Sequence, residues 1–202
     1  MAVRSRFICN KRVLAALLLL LGWIYFAEFY IYSLYSHHMW DIYSEDGAVS
    51  KEALKVLVVT DLHIMCTMSA VEPWIARWDA DRYLKKNLDQ AFAVFSPDVV
   101  LILGDVFDQG YNANSQEWID YLRCFRHVVA VPDNVQLMST VGDNDIGGEG
   151  RESISSRILE RYSVKFGKMN SLTVIENVAF IKVPHSYGSN HCVTAVVCVL
   201  LR

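Results

Sequence analysis

The sequence predicts an α/β layered fold with mainly parallel strands, set behind one membrane-spanning helix. Three observations carry this. Apolar runs of strand length alternate with segments of helical period, in the order β-α-β-α-β-α-β-β. The runs at residues 54–60 and 98–105 are rich in Val, Leu and Ile, as expected of strands covered on both faces. Residues 13–35, VLAALLLLLGWIYFAEFYIYSLY, exceed the roughly 20 apolar residues that cross a bilayer.

That first segment outlasts the apolar region of a cleavable signal peptide, roughly 7 to 15 residues, and no small-x-small cleavage site follows it. It reads as a retained anchor. Glu28 within it is costly in lipid unless neutral, paired or near an interface, and Tyr25, Tyr30, Tyr32 and Tyr35 resemble an interfacial belt. Arg4, Arg6, Lys11 and Arg12 precede the span, and no Lys or Arg follows until Lys51. The positive-inside rule then places residues 1–12 in the cytosol and the rest in a lumen or outside. Residues 36–53 are polar and acidic and read as a linker.

The first strand follows at 54–60. Trp74, Trp78, Tyr83, Leu84, Leu88, Ala91, Phe92 and Phe95 recur at helical spacing, and Pro97 sits just past their end, which predicts a helix over 74–95. The second strand is 98–105. Ser115 with Glu117 predicts a helix cap, and that helix runs to about 125. Residues 134–141 alternate as a third strand, 151–166 form a helix, and LTVI and VAFIKV, split by Glu176-Asn177, form a hairpin.

A formal net charge of -3 excludes a global basic field for nucleic acid. Five cysteines, Cys9, Cys66, Cys124, Cys192 and Cys198, have neither disulfide-scaffold nor zinc-finger spacing and predict no framework. No Asn-x-Ser/Thr sequon occurs to mark a lumenal face.

In open parallel sheets, ligands gather beyond the carboxyl ends of the strands. The first strand ends in Thr60-Asp61-Leu62-His63. The second ends in Gly104-Asp105-Val106-Phe107-Asp108-Gln109-Gly110, and the third in Gly142-Asp143-Asn144-Asp145. Each alone reads as a loop acid, a surface histidine or an Asx turn, and Asp145 alone as a helix cap. Three successive strand ends delivering carboxylates to one edge, with an imidazole two residues from the first, point to a divalent-metal pocket. Carboxylate and imidazole together suit Mn, Fe or Zn.

These blocks, TDLHIM, ILGDVFDQG and GDNDIGG, resemble those of the calcineurin-like metallophosphoesterases. With an anchor in front they look closer to the Cdc1/Ted1/metallophosphoesterase 1 branch, also called the post-GPI-attachment-to-proteins factor 5 group. The resemblance covers about residues 30–183. It implies two facing sheets and two divalent ions, expected to be Mn with Fe or Zn as alternatives. Asp61, His63 and a bridging Asp105 would hold the first ion. Asp143, in the place of the family's Asn, would join Asp105 at the second. Asp108 and Asp145 would orient these groups, Asp145 through the side chain before it. Asn144 stands where the family carries a proton-donating histidine. The implied activity is phosphodiester hydrolysis in the secretory pathway. Its substrate would be the ethanolamine-phosphate branch of the GPI glycan, or GPI-anchored proteins, on the lumenal face of the endoplasmic reticulum or Golgi membrane.

The family's later histidines, an isolated one and a Gly-His-x-His motif, are not met here. His185 and His191 lack that context, and residues 184–202 read as a divergent tail after a metallophosphoesterase segment at 54–183. The resemblance thus implies the first half of the sandwich, an incomplete second metal site and an apolar sheet face left uncovered. A non-catalytic membrane protein, or a product destined for degradation, is the alternative.

Overall fold

The computed structural model describes residues 11–31, 34, 53–66, 74–148, 154–187 and 191–201, those from 184 onward as backbone. The expected basic tail, most of the linker and the first residues of the helix expected from 151 lie outside them. The chain divides into two compact units, Met1–Ser50 and Lys51–Arg202.

In the first unit, α1 (Lys11–Tyr25) continues as a wider π-helical turn over Phe26–Ile31. Together they make 21 residues, long and apolar enough to cross a membrane. At 1.5 Å rise per residue this is about 30 Å, the thickness of the hydrocarbon core. Glu28 sits in the π-helical turn.

The second unit is an α/β sandwich. Strands β1 (Val56–Val59), β2 (Val99–Leu103) and β3 (Gln136–Thr140) form a parallel sheet in that order, with Val56 opposite Val99 and Val99 opposite Gln136. Parallel pairing needs long crossovers, and helices supply them: α2 (Trp74–Phe95) between β1 and β2, α3 (Ser115–Val128) between β2 and β3. The short α4 (Asp143–Ile146) and then α5 (Ser156–Phe166) follow β3. Strands β4 (Ser171–Ile175), β5 (Val178–Tyr187) and β6 (His191–Leu201) form an antiparallel second sheet.

The central strand shows why its sequence is continuously apolar. Alternate residues point to opposite faces. Val100 and Ile102 enter the helix-side core with Leu88, Tyr121, Phe125 and Val128. Val99 and Leu101 enter a second core with Met138 and Phe180, between the sheets. Each such burial stabilises by roughly 1.5–3 kcal/mol before packing effects.

Three expectations are corrected here. The parallel sheet is not left bare: Phe180 of β5 is fully buried against Val99, Leu101 and Met138. Residues 191–201, read as a divergent tail, pair along β5 as β6, with Tyr187 opposite His191 and Val178 opposite Leu201. A run of Val, Thr, Cys and Leu too short for a membrane has high strand propensity, and β5 offers it an edge. The cap of α3 is Asn114, whose Oδ1 accepts from the N–H groups of Gln116 and Glu117 at 2.9 and 3.0 Å. The Glu117 carboxylate accepts in return from the Asn114 N–H at 2.6 Å, a capping box displaced by one residue from Ser115.

Candidate metal centre

The site lies where β1, β2 and β3 run out. Asp61, His63 and Asp105 all take left-handed backbone conformations, with φ of 52°, 42° and 47°. Each costs of order 1–3 kcal/mol for a residue with a β-carbon, and such conformations persist only where the surroundings hold them. Here the strand ends are zipped together. His63 N–H donates to the Asp105 carbonyl, Ile64 N–H to the Val106 carbonyl (both 3.0 Å), and Asp108 N–H to the Ile64 carbonyl at 3.2 Å. Ile64 and Phe107 thereby form a parallel bridge, and both side chains are fully buried.

This backbone brings Asp61, His63 and Asp105 together, one donor atom from each lying within 4.8 Å of the others. His63 Nε2 is 3.9 Å from an oxygen of each of the two carboxylates. On the far side of the ring, Nδ1 lies 3.7 Å from Asp108 Oδ1. That is beyond a direct hydrogen bond, but it is the position from which a carboxylate biases a ligating imidazole. Exposure grades from 59% for the Asp61 side chain to 37% for His63 and 17% for Asp105. The cluster therefore opens to solvent over Asp61 and is floored by Asp105.

The third strand end behaves differently. Asp143 begins α4 and is close enough to Asp105 that its charge, after burial, is the next cause raising the Asp105 carboxyl above the usual carboxylate range. Asn144 N–H donates to Asp105 Oδ1 at 3.2 Å and, with His63, opposes that shift. Asp143 is not among the three residues whose donors converge within 4.8 Å. Asp145 points inward and has no exposed surface. Its carboxylate accepts from the N–H groups of Phe107 (3.0 Å), Gly142 (3.1 Å) and Val106 (3.3 Å), so it joins the second loop to the third through backbone. Complete burial pushes its carboxyl up to about 7, against the pull of these three hydrogen bonds.

Gly142 is required by this closeness. A β-carbon there would overlap the Asp105 carboxylate, which gives GDND its leading glycine a steric reason. At Gly104, with φ of 87°, a β-carbon would stand 3.0 Å from the Val141 carbonyl oxygen and 3.1 Å from the Gly142 nitrogen, a looser but still tight approach.

Sequence reasoning missed the props. Arg161 of α5 donates to the carbonyls of Gly110 and Ala113, both at 2.5 Å, and lies 4.7 Å over the Trp118 ring, holding the loop after Asp108. Buried Tyr162 donates to the Thr140 carbonyl at 2.7 Å and secures the end of β3. A disulfide joins Cys66, three residues past His63, to Cys124 of α3, correcting the expectation that no framework exists. Asp81 of α2 accepts from the Met65 and Cys66 N–H groups at 3.1 and 2.8 Å, tying down the same loop. Cys66, Asp81 and Cys124 also lie as close as metal ligands would, but a bonded sulfur pair offers no thiolate. Nothing in a separation of 58 residues marks those cysteines as partners.

A hard or borderline divalent ion fits the donors of Asp61, His63 and Asp105: two carboxylates and one imidazole, partly exposed, with the like charge of Asp143 close by. The family model for the calcineurin-like phosphoesterases matches residues 54–196. The chain belongs to that family. Calcineurin-like phosphoesterases are hydrolases that work with divalent metal ions, and the match runs well into β6, past the boundary expected at residue 183. Among relatives, metallophosphoesterase 1 of Danio rerio is 28% identical over 145 residues, covering 71% of this chain and 37% of the relative. The Gallus gallus protein of the same name is 30% identical over 128 residues (60% and 32%), and that of Mus musculus 26% over 161 (78% and 39%). The chain therefore spans 32–39% of these relatives' length.

Proposed function

We propose that this chain carries the metal-binding part of a phosphodiesterase acting on ethanolamine-phosphate of the GPI glycan, in the lumen of the endoplasmic reticulum or Golgi. The observation that carries the reading is the Asp61–His63–Asp105 cluster at the carboxyl ends of two adjacent parallel strands. The Cys66–Cys124 bond supports a lumenal domain, because disulfides persist in oxidising compartments. The basic residues before α1 support the same orientation.

Manganese is the ion expected at the site, since oxygen ligands dominate the donor set. Divalent ions, when bound, neutralise phosphoryl charge and make water more acidic. The rest falls to the chain's own groups. Asp61, His63 and Asp105 would hold the first ion, and Asp105 with Asp143 the second. Asp108 would bias the His63 ring. Asn144 offers amide donors to a phosphoryl oxygen but no proton for a leaving alkoxide. Loss of a general acid costs on the order of 100- to 10,000-fold in rate unless water substitutes.

Asn144 also motivates the second reading, a membrane protein that binds metal and phosphate without turnover. One assay separates the two. The full chain in detergent, with Mn²⁺, is given an ethanolamine-phosphate diester beside a full-length metallophosphoesterase 1 relative. Turnover above that of the Asp105→Asn variant supports the enzyme. Metal binding without turnover by this chain, where the relative turns over, supports the second reading.

A further inference from the structure

We propose that Cys66, Asp81 and Cys124, in the thiol form of the chain, hold a zinc ion, which oxidation of the two sulfurs expels. The site shares no ligand with the cluster of Asp61, His63 and Asp105, and does not depend on the reaction assigned to that cluster.

Three elements supply the donors. Cys66 lies in the loop after β1, Asp81 on α2 and Cys124 toward the end of α3. One donor atom from each lies within 4.8 Å of the others. The carboxylate is positioned by the protein itself. Asp81 Oδ1 accepts from the Met65 N–H at 3.1 Å and Oδ2 from the Cys66 N–H at 2.8 Å. The same Oδ2 lies 3.5 Å from Cys124 Sγ. Burial raises the Asp81 carboxyl above the usual carboxylate range, against the pull of those two hydrogen bonds. Two thiolates beside a half-buried carboxylate repel it and one another, and a cation that all three share removes that repulsion.

Two sulfurs and one carboxylate oxygen suit zinc. Thiolates select it over harder ions such as Mn or Mg, and three protein ligands leave the fourth tetrahedral position to water. The spacing permits the exchange of one cross-link for the other. Two sulfurs each bonded to zinc at about 2.3 Å stand about 3.8 Å apart at the tetrahedral angle. The α-carbons of Cys66 and Cys124 are 6.1 Å apart, so rotation of the two side chains opens the sulfurs to that separation with the backbone in place.

The ion also has an entry path. A cavity of about 710 Å³ between α2 and α3 carries Cys66, Asp81 and Cys124 on its wall. Three basic residues of that wall are already paired, Arg82 with Asp79, Lys85 with Asp89 and Arg123 with Asp120, which lowers their repulsion of an incoming cation.

The redox step balances with a small disulfide such as oxidised glutathione. Its sulfur–sulfur bond breaks, the Cys66–Cys124 bond forms, two zinc–sulfur bonds break, and the two electrons leave on two small thiolates beside free Zn²⁺. Zinc before oxidation and the disulfide after it tie the same loop to α3, the loop that begins with Asp61 and His63.

The test uses the full chain in detergent with Cys9→Ser, Cys192→Ser and Cys198→Ser, so that only this pair carries thiols. The chain is reduced with a phosphine, freed of metal and titrated with Co²⁺. A sulfur-to-cobalt charge-transfer band reports thiolate ligation, which the Asp61 cluster cannot give. The band is expected to saturate at one Co²⁺ per chain and to bleach on addition of Zn²⁺. Oxidised glutathione should then release one Zn²⁺ to a chromogenic chelator as two thiols disappear. Asp81→Asn should weaken binding at least about tenfold, and Asp61→Asn should leave it unchanged. Absence of the band in the reduced chain overturns the proposal, as does zinc retained after oxidation. A band of equal affinity in Asp81→Asn also overturns it, because two thiols of an unfolded chain would bind in that way without the carboxylate.

Discussion

The first and third ends of the parallel sheet look alike in sequence and do opposite things. At the first, Asp61 and His63 face solvent, and the loop is held from outside by the Cys66–Cys124 bond and by Asp81. At the third, Asp145 is turned wholly inside and holds the loop by three backbone N–H groups, while Asp143 stays near the surface of the site. The same residue type stands as a candidate metal donor in one loop and as an internal brace in the other. What separates them is whether the protein or the solvent satisfies the carboxylate.

The largest expected effect tests the external brace. Opening the Cys66–Cys124 bond with Cys66→Ser/Cys124→Ser releases a loop with a sequence separation of 58. Loop-closure entropy for that length predicts a loss of about 4 kcal/mol, read from thermal unfolding of the full chain in detergent. A loss below about 1 kcal/mol would mean that Asp81 alone suffices.

Next is the internal brace. Asp145→Ala strands three backbone donors, and roughly 3 kcal/mol of destabilisation is expected even if water reaches one of them. This variant also tests the titration. The folded-state carboxyl sits near 7 against an ordinary 3.8, so in chelator its contribution is full below about 3.8 and disappears as pH rises through about 7. Stability of the wild type minus that of Asp145→Asn should therefore fall with rising pH across that window. A flat difference curve would show that the three N–H groups keep Asp145 ionised throughout.

Much of this fold was legible beforehand. The helix over Trp74–Phe95 was marked by its period and by Pro97, and the doubly covered β2 by its unbroken apolar run. The strand ends pointed to one pocket shared by three loops, and the family resemblance named Asp61, His63, Asp105 and Asp143 within it; the first three have donors that lie together, and Asp143 is not in that group. The braces were not legible. Asp145 looks like Asp143 until burial is known, Arg161 acts across a span of about 50 residues on carbonyls that have no sequence signature, and β6 is a strand only because β5 exposes an edge to it. Long-range partners that involve backbone leave no local pattern to read.

A steric version of the comparison uses Gly142→Ala. The added carbon collides with the Asp105 carboxylate, and crowding of this kind costs about 1–3 kcal/mol. Mn²⁺ affinity, measured by electron paramagnetic resonance of the free ion, should fall with it.

The smallest effect on stability belongs to the exposed donor. Asp61→Asn should leave unfolding within about 0.5 kcal/mol of wild type, because nothing buried depends on that carboxylate. Mn²⁺ affinity should nevertheless fall at least about tenfold. If stability and affinity instead fall together, Asp61 is a brace as well, and the contrast between the two strand ends dissolves.

The covalent tie at Cys66 has a consequence for timing. The two sulfurs belong to segments made far apart in synthesis, the second well after the first metal donors have emerged. Oxidation can close the pair only once α3 exists and the surroundings supply an oxidant. A copy retained in a reducing compartment would carry Asp61 and His63 on a loop tied to α2 by Asp81 but by no disulfide to α3. Maturation of the site is in this sense coupled to oxidation, and a molecule whose two cysteines have not met arrives unfinished.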